Sequence, residues 1–454
     1  WSRGLGDVYK RQLYYIFFSL ISILFSQDVY GGYVIYTPGG GGNATSYLRD
    51  TDNSIVNTWS HTSGPASMPY LVAGDEPGFE NTLLYYPCQV NSPTMQSGGV
   101  GGKVEIYNWT GDLLWDYTLS NNSYQHHHDI EPLPNGNFLM LAWERSYMSE
   151  WSDLGRSSVN NSLNQMWFTA IFEIEPNFET GEANIVWEWH IKDHLVQDRG
   201  PQYSATYGQI SDHPELMDIN CGNAGSSGGP GGQANGDWMH MNAISYNADF
   251  EQIVLSSRFQ DEIYIIDHST TTAEAATGSG GNSGMGGDIL YRWGNPSNYG
   301  MSGNQVIPSA VHDVRWIPND GRPNSGYLQI FNNSGNGNGQ STVDGIETPI
   351  DPVNGYKYYR APGQPFGPSS YTTRYNCQFS APGQSASDRM SNGNIFVNAS
   401  GGQGGAGVMY EVDSLNNIIW GPYNAQSQKA FRYECDHPGT VSYTHLTLPT
   451  NREV

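Results

Sequence analysis

The sequence predicts an all-β fold, a six-bladed β-propeller, and three observations support this prediction. First, glycine, proline, tyrosine and tryptophan number 55, 25, 30 and 13 among 454 residues, whereas charged residues make up only 14%. This composition is typical of many short aromatic strands joined by turns. Second, two kinds of hairpin-like segment recur along the chain. Third, the sequence shows no helical periodicity sustained over several turns.

The first recurring segment is a strand, a turn of Asp, Asn or Gly, and a second strand that closes on an aromatic residue. Its copies are YLRDTDNSIVNTW (47–59), IYNWTGDLLWDY (106–117), FEIEPNFETGEANIVWEW (172–189), IIDHS followed by DILYRW (265–293), and YEVDSLNNIIWGPY (410–423). Their spacing leaves room for a sixth, degenerate copy near GYKYYRAPG (355–363). Most tryptophans at the ends of these segments are expected to pack in the core or between blades.

The second recurring segment lies between these hairpins and contains a strand, a turn of Asn with Gly or Asp, and another strand. The first copy begins with HHDIEPLPNGN, and the four copies occupy 127–141, 240–258, 312–333 and 387–400. Two hairpins in each repeat make a four-stranded blade, and radial repetition of such blades makes a propeller.

Both ends of the chain are interpreted as foreign to the protein. Residues 1–12 and 441–454 correspond to in-frame translations of sequencing adapters and are excluded from fold reasoning. The apolar run 13–26 is too short for a comfortable membrane span and is expected to be the hydrophobic part of a secretory signal, with a buried core segment as the alternative. The propeller is therefore expected over 27–440, with the natural C-terminus beyond it, in an exported protein that is secreted or periplasmic.

Charge limits the possible partners. The formal net charge is −24, so the chain would repel nucleic acid and anionic membrane, and no other segment is apolar enough to span a bilayer. Few cations are available, and they are expected to concentrate where an anionic substrate binds. The four cysteines are compatible with disulfides, but their spacing does not match a metal site. No feature of the sequence indicates the oligomeric state.

Histidines lead several copies of the second segment. Alignment on the turn places His128 and His312 in one register, and His240 leads its own copy. The innermost strands of a propeller line a central channel, so these side chains are expected to meet at one channel mouth. Arg258 ends the strand that pairs with the His240 strand, and His with Arg suggests a pocket for a tetrahedral oxyanion.

Two alternatives to the oxyanion pocket remain open at this stage. One is a three-histidine zinc site, although Arg258 would then place a cation beside a cation. The other is a set of polar residues whose hydrogen bonds are satisfied at strand starts. Within the run of three histidines, strand alternation selects His128 for the channel. His127 is then expected to face away, and His126 to lie in the preceding loop.

The segments that contain these residues resemble those of the bacterial aryl-sulfate sulfotransferases, the arylsulfotransferase family of secreted six-bladed propellers. The resemblance extends from about residue 47 to 437. It rests on DWMHMNAISYNADFEQIVLSSRFQDEIYIIDHSTTT (237–272), HHDIEPLPNGN (127–137) and VHDVRWIPNDG (311–321). It implies transfer of a sulfuryl group from an aryl sulfate to a phenolic acceptor, without the nucleotide donor PAPS and without a cofactor or metal.

The resemblance also implies roles for individual residues. His312 matches the histidine that is transiently sulfated on nitrogen. His128, His240 and Arg258 match the residues that surround the sulfuryl group, and Asn242 matches a further oxygen ligand less closely.

Elementary chemistry agrees with these residue types. Neutral imidazole has a free lone pair near neutral pH, and a cation with hydrogen-bond donors suits the oxygens of a loose transition state. Asp313 is expected either to orient the His312 ring or to cap a turn. Two other functions remain possible: a sulfatase that uses water as acceptor in the same pocket, and a propeller without activity that binds sulfated glycans or a protein partner. The common sulfatase motif, Cys or Ser-x-Pro-x-Arg, is absent from the sequence.

Overall fold

The computed structural model describes residues 29–39, 42–74, 78–228, 232–351 and 353–435. Within them, six antiparallel four-stranded sheets form the blades of a β-propeller, as the sequence predicted. The predictions of a secretory signal and of adapter-derived ends concern residues outside this description and stay predictions.

The blades follow one another along the chain, and we number them in that order. Blade 1 contains β1 (Gly32–Pro38), β2 (Ala44–Arg49) and β3 (Ile55–His61). Blade 2 contains β4 (Tyr70–Val72), β5 (Leu83–Gln89), β6 (Gly102–Tyr107) and β7 (Leu113–Thr118). Blade 3 contains β8 (Tyr124–Pro132), β9 (Phe138–Tyr147), β10 (Gln165–Pro176) and β11 (Ala183–His190).

After blade 3, a small parallel sheet of β12 (Leu195–Gln197), β13 (Thr206–Tyr207) and β14 (Met217–Asp218) interrupts the series. Blade 4 contains β15 (Met241–Asn247), β16 (Gln252–Ser257), β17 (Glu262–Asp267) and β18 (Tyr291–Gly294). Blade 5 contains β19 (Val311–Trp316), β20 (Leu328–Asn332), β21 (Thr342–Ile346) and β22 (Thr373–Asn376). Blade 6 contains β23 (Ala386–Arg389), β24 (Ile395–Ala399), β25 (Val408–Val412) and β26 (Ile418–Asn424).

The ring closes through β27 (Ser427–Glu434), which pairs antiparallel with β1 and becomes the innermost strand of blade 1. In the other blades the first strand is innermost, and β15 packs against β8 on one side and against β19 on the other, around the channel. Helices are few in the described residues. The α-helical segments are Met148–Asp153 and Thr272–Ala275, and the 3₁₀ turns are Phe79–Asn81, Ile191–Asp193, Ile210–Asp212, Pro296–Tyr299 and Gly402–Gly404.

The predicted hairpins agree with the observed strands except in blade 5. Both strands of each predicted copy are present, from β2 and β3 for 47–59 to β25 and β26 for 410–423. The prediction of a degenerate hairpin at 355–363 is wrong. That segment lies in the irregular connection between β21 and β22, where Tyr358 makes a single bridge to Ile350.

Tryptophans at the ends of outer strands join neighbouring blades. Their indole N–H groups donate to an acceptor of the next blade in the pairs Trp59 to Asn108 O, Trp115 to Glu182 O, Trp187 to Thr270 Oγ1, Trp293 to Pro368 O and Trp420 to Thr51 O. These rings are buried, so the hydrogen bonds satisfy polar groups that would otherwise be costly within the packed interface.

Two further observations concern the cysteines and the length of the helices. Cys88, Cys221 and Cys377 are buried as separate thiols, so no disulfide joins any of these three to another. The described part of the chain holds no helix with the length and hydropathy that a bilayer span requires.

Candidate functional site

A cavity of about 670 Å³ lies at one mouth of the central channel. His128, His240, Arg258 and His312 line it together, so three consecutive blades contribute to one site. The structure therefore brings together four of the six residues that the sequence singled out. His128 lies 112 residues before His240, and Arg258 lies 54 residues before His312, so only the propeller makes these blades meet at one site.

An irregularity in each innermost strand turns its histidine toward the cavity. The pairing register shifts after His126 in β8, after Met241 in β15 and after His312 in β19. His128 and His240 have φ angles of 54° and 50°, in the left-handed region that residues other than glycine seldom adopt. Such bulges redirect side chains, and local backbone strain is concentrated at functional sites.

The ring of His312 is held by Asn333, which the sequence analysis did not single out. Nδ1 of His312 lies 2.7 Å from Asn333 Oδ1 and 2.9 Å from the carbonyl oxygen of Ala310. The Asn333 amide nitrogen donates to the carbonyls of Ala381 and Gln384, so its oxygen is the group that faces His312. Both partners of Nδ1 are acceptors, so Nδ1 carries the proton and Nε2 keeps its lone pair.

Two of the cavity histidines are neutral near pH 7. Burial, reinforced by the positive charge of Arg258, lowers the pKa of His312 well below its ordinary value of 6.5. Burial, reinforced by His240 and His127, likewise lowers the pKa of His128 well below 6.5. In this site a neutral imidazole can act as a nucleophile or as a hydrogen-bond donor without first losing a proton.

His240 differs because a buried carboxylate contacts it. Nδ1 of His240 lies 2.5 Å from Asp237 Oδ2, and Asp237 also accepts hydrogen bonds from Ser97 Oγ and Trp143 Nε1. Burial by itself would raise the pKa of Asp237, but the charge and hydrogen bond of His240, together with His127 and Ser97, hold that pKa below its ordinary value. Asp237 is therefore ionised, although only 1% of its surface is exposed.

His128 contacts another member of the histidine run. Its Nδ1 lies 2.9 Å from Nδ1 of His127, whose ring stacks on Trp143 with centroids 4.2 Å apart. His127 does not line the cavity, but its ring contacts that of His128 and does not point to the opposite face, because the bulge after His126 interrupts strand alternation. His126 is also not in a loop: it lies buried within β8.

A glycine makes the position of His128 possible. Gly99 has φ +74°, and a Cβ there would lie 2.0 Å from His128 Nε2. The loop therefore covers the imidazole only because residue 99 has no side chain. Nε2 of His128 is buried and has no hydrogen-bond partner among the described residues.

Arg258 presents an uncompensated cation to the cavity. Among the described residues, no side chain or carbonyl forms a hydrogen bond or ion pair with its guanidinium group, whereas its backbone N–H donates to His240 O. Burial lowers the pKa of Arg258 from 12.5, partly offset by Asp261, and an arginine keeps its charge under such conditions. A buried cation of this kind favours an anionic ligand.

Asp313 and Asn242 lie behind the cavity and do not line it. Asp313 accepts hydrogen bonds from Arg315 and from Ser387 N, so the expectation that it orients His312 is wrong. The Asn242 amide nitrogen donates to Val311 O, and its oxygen accepts from Ser256 Oγ, in a side chain that is fully buried outside the cavity lining.

A buried lysine that the sequence analysis missed lies below the histidines. Lys429 Nζ is 2.7 Å from Asp129 Oδ2 and 3.5 Å from Asp313 Oδ1. The acids that follow His128 and His312 therefore bind this lysine across the channel.

An aromatic ring forms part of the cavity wall. Phe259 stacks on His240 with ring centroids 4.6 Å apart and an interplanar angle of 26°. Its side chain is 48% exposed at the cavity, unlike the buried aromatic rings of the blades. Phe259 directly follows Arg258, so its place beside the cavity could have been inferred from the sequence.

The zinc alternative does not match the arrangement of the described residues, which include no group of three or more His, Cys, Asp or Glu that could hold a metal ion. An anionic ligand fits better, because three imidazole rings and one guanidinium group surround the same space.

The model of the arylsulfotransferase (ASST) family matches residues 92–357. No curated protein matches the chain. Similar solved structures include the periplasmic gluconolactonase PpgL of Pseudomonas aeruginosa, with 12% identity, a TM-score of 0.37, and coverage of 86% of this chain and 94% of that one. Apo AztD from Citrobacter koseri shows 9% identity, a TM-score of 0.35, and coverage of 89% and 99%.

Proposed function

This chain belongs to the arylsulfotransferase family, and from that premise we propose that it moves a sulfuryl group from an aryl sulfate to a phenolic acceptor through a sulfated His312. Family membership supports aryl sulfotransferase activity in general. The covalent intermediate, the roles of single residues and the nature of the acceptor are the proposal.

One observation carries the proposal: among the residues that the structure describes, none forms a hydrogen bond or ion pair with the Arg258 guanidinium, which shares its cavity with three histidines. A sulfuryl group has three oxygens that share negative charge. Arg258 can bind two of them through its fork of N–H groups. His128 Nε2 can donate to the third when the ligand displaces the Gly99 backbone that covers it. For this, His127 must donate its Nδ1 proton to His128 Nδ1, which gives His127 a role in selecting the tautomer.

In the first half-reaction, His312 Nε2 attacks sulfur while the bond from sulfur to the aryl oxygen breaks. The electron pair of that bond goes to the aryl oxygen, and a proton from a cavity histidine makes the leaving phenol neutral. His312 keeps its Nδ1 proton on Asn333 throughout, so the sulfated ring carries a positive charge next to the negative sulfuryl oxygens. Preorganised donors of this kind lower the barrier because they need no rearrangement.

In the second half-reaction, a phenolic acceptor replaces the departed phenol against Phe259. Its oxygen attacks sulfur, its proton returns to the cavity histidine, and the electron pair of the nitrogen–sulfur bond returns to His312. Stacking on an exposed ring favours aryl compounds over other alcohols in both steps.

The test is steady-state turnover of 4-nitrophenyl sulfate with and without a phenolic acceptor. We expect sustained release of 4-nitrophenol that depends on the acceptor and appears together with the sulfated acceptor. Release that is equally fast without acceptor would indicate a hydrolase instead, and no release would indicate a binding protein. A suitable control is His213→Ala, since His213 pairs with Glu215 outside the cavity at 32% side-chain exposure and should not affect the rate.

We also propose that the protein is exported, on the basis of the apolar segment 13–26. Expression of the full chain in a bacterial host, followed by separation of periplasm and cytoplasm, tests this. Retention of the unprocessed chain in the cytoplasm would contradict it.

A further inference from the structure

The three histidines of the cavity have different partners. Nδ1 of His312 faces an amide oxygen, and Nδ1 of His128 faces another imidazole. Only Nδ1 of His240, among these three rings, faces a carboxylate, that of Asp237. Ion-pair partners of this kind determine which histidine can carry an additional proton.

We propose that Asp237 is the positioning residue that makes His240 the proton carrier of the transfer reaction. This inference rests on the proposed function and assigns a step that the proposed function leaves to an unspecified histidine. Asp237 does not contact the sulfuryl group. It acts through His240.

The geometry fixes Asp237 more firmly than a surface carboxylate could be fixed. Oδ1 accepts from Trp143 Nε1 at 3.1 Å and from the His240 backbone N–H at 3.1 Å. Oδ2 accepts from Ser97 Oγ at 3.0 Å and from His240 Nδ1 at 2.5 Å. With both oxygens occupied, the carboxylate cannot rotate away from the ring, and Nδ1 of His240 keeps its proton.

This arrangement leaves Nε2 of His240 as the atom that exchanges protons with substrates. The only side-chain hydrogen bond of His240 to a described residue is that of Nδ1 to Asp237, so Nε2 has none, and the ring lines the cavity. In the first half-reaction, the Nε2 proton goes to the aryl oxygen as the sulfur–oxygen bond breaks. In the second, Nε2 takes the proton of the acceptor hydroxyl. Asp237 balances the positive charge whenever both ring nitrogens are protonated.

The other two histidines are poorly suited to this task. Burial keeps the pKa of His128 and of His312 well below 6.5, so neither holds a second proton near neutral pH. Each also lies near the positive charge of Lys429, which disfavours a second charge on the ring.

The test compares two donors that differ in how much they need a proton. 4-Nitrophenol leaves readily as its anion, whereas unsubstituted phenol is a poor leaving group and depends on general acid catalysis. We expect Asp237→Asn to reduce kcat/KM for phenyl sulfate on the order of 10²-fold and to reduce it at least about tenfold less for 4-nitrophenyl sulfate. Equal losses with both donors would overturn the inference and leave Asp237 with a structural role.

A matched control is available in the same blade. Asp267 is also 1% exposed and accepts hydrogen bonds from Ser269 and Ser283, but it ends β17 at the end remote from the cavity. Asp267→Asn should leave the ratio of the two kcat/KM values unchanged. A change in this ratio as large as that of Asp237→Asn would also overturn the inference.

A second variant covers the case in which Asp237→Asn does not fold. Ser97→Ala removes one hydrogen bond from Asp237 Oδ2 and leaves the carboxylate in place. We expect a larger loss of kcat/KM with phenyl sulfate than with 4-nitrophenyl sulfate. Equal losses would count against the inference in the same way. If the wild-type protein turns over neither donor, the proposed function itself fails, so the two failures are distinguishable.

Discussion

Replacing His126 with asparagine should make the fold less sensitive to acid. His126 is fully buried in β8, where Nδ1 accepts the Gly102 N–H at 3.0 Å and Nε2 has no partner among the described residues. Burial lowers the pKa of His126 from 6.5 to about 3. The unfolded chain therefore binds a proton below pH 6.5 that the folded chain excludes.

The sign and size of the effect follow from this difference in pKa. The stability associated with neutral His126 is fully present above pH 6.5 and is lost as the pH falls toward about 3. At pH 5, about 1.5 pH units below the ordinary pKa, the loss is about 2 kcal/mol, at 1.36 kcal/mol per unit. His127 and His61 also have pKa values lowered to about 3 by burial and add comparable losses. A fold typically has only about 5–15 kcal/mol of stability, so these losses matter.

Urea unfolding at pH 7.5 and at pH 5, followed by tryptophan fluorescence, measures this effect. In His126→Asn, the side-chain oxygen can still accept the Gly102 N–H, and the difference in unfolding free energy between the two pH values should shrink by about 2 kcal/mol. Leu141→Ala, a buried change in the same blade, should destabilise equally at both pH values. An unchanged pH difference in His126→Asn would refute the reasoning.

Two further predictions concern substrate binding. Arg258→Lys keeps the charge but loses the bidentate contact with the sulfuryl oxygens, so kcat/KM for the donor should fall about 10²-fold. A kcat/KM within twofold of the wild-type value would contradict the role of Arg258. Phe259→Ala removes the exposed ring beside His240, so KM for aryl sulfates should rise about 3- to 10-fold with little change in kcat. Initial rates over a range of donor concentrations test both, and an unchanged KM in Phe259→Ala would exclude stacking.

The propeller could be predicted because its hairpins are local. Alternating apolar residues and turns such as Asn135-Gly136 identify β8 and β9 within one short segment, and the same holds for most blades. The closure of the ring could not be found in this way, since β27 pairs with β1 from the opposite end of the described chain. The prediction near 355–363 was wrong because tyrosines are typical of strands, whereas this segment is an irregular connection in which Tyr358 is buried and Tyr359 is 64% exposed.

The candidate site was only partly predictable for a related reason. Repeat register located His128, His240 and His312, but it assumed regular strand alternation. The bulge after His312 breaks that alternation and turns Asp313 toward Arg315 and Lys429.

Partners of the cavity residues were missed because their contacts depend on the folded backbone. Asn333 follows β20 as Arg258 follows β16, so comparison of these equivalent positions would have identified it. Asp237 lies only three residues before His240, but the left-handed backbone conformation of His240, which accompanies the contact with the ring, is not evident from the sequence. Lys429 comes from the closing strand, whose position depends on the complete ring.

The most direct measurement of the central claim is the mass of the His312 peptide after the protein reacts with 4-nitrophenyl sulfate in the absence of acceptor. We predict a sulfuryl group on His312 after an alkaline quench, its loss when a phenol is added before the quench, and none in His312→Ala. Release of 4-nitrophenol with His312 unmodified, or with the sulfuryl group on another residue, would contradict the account.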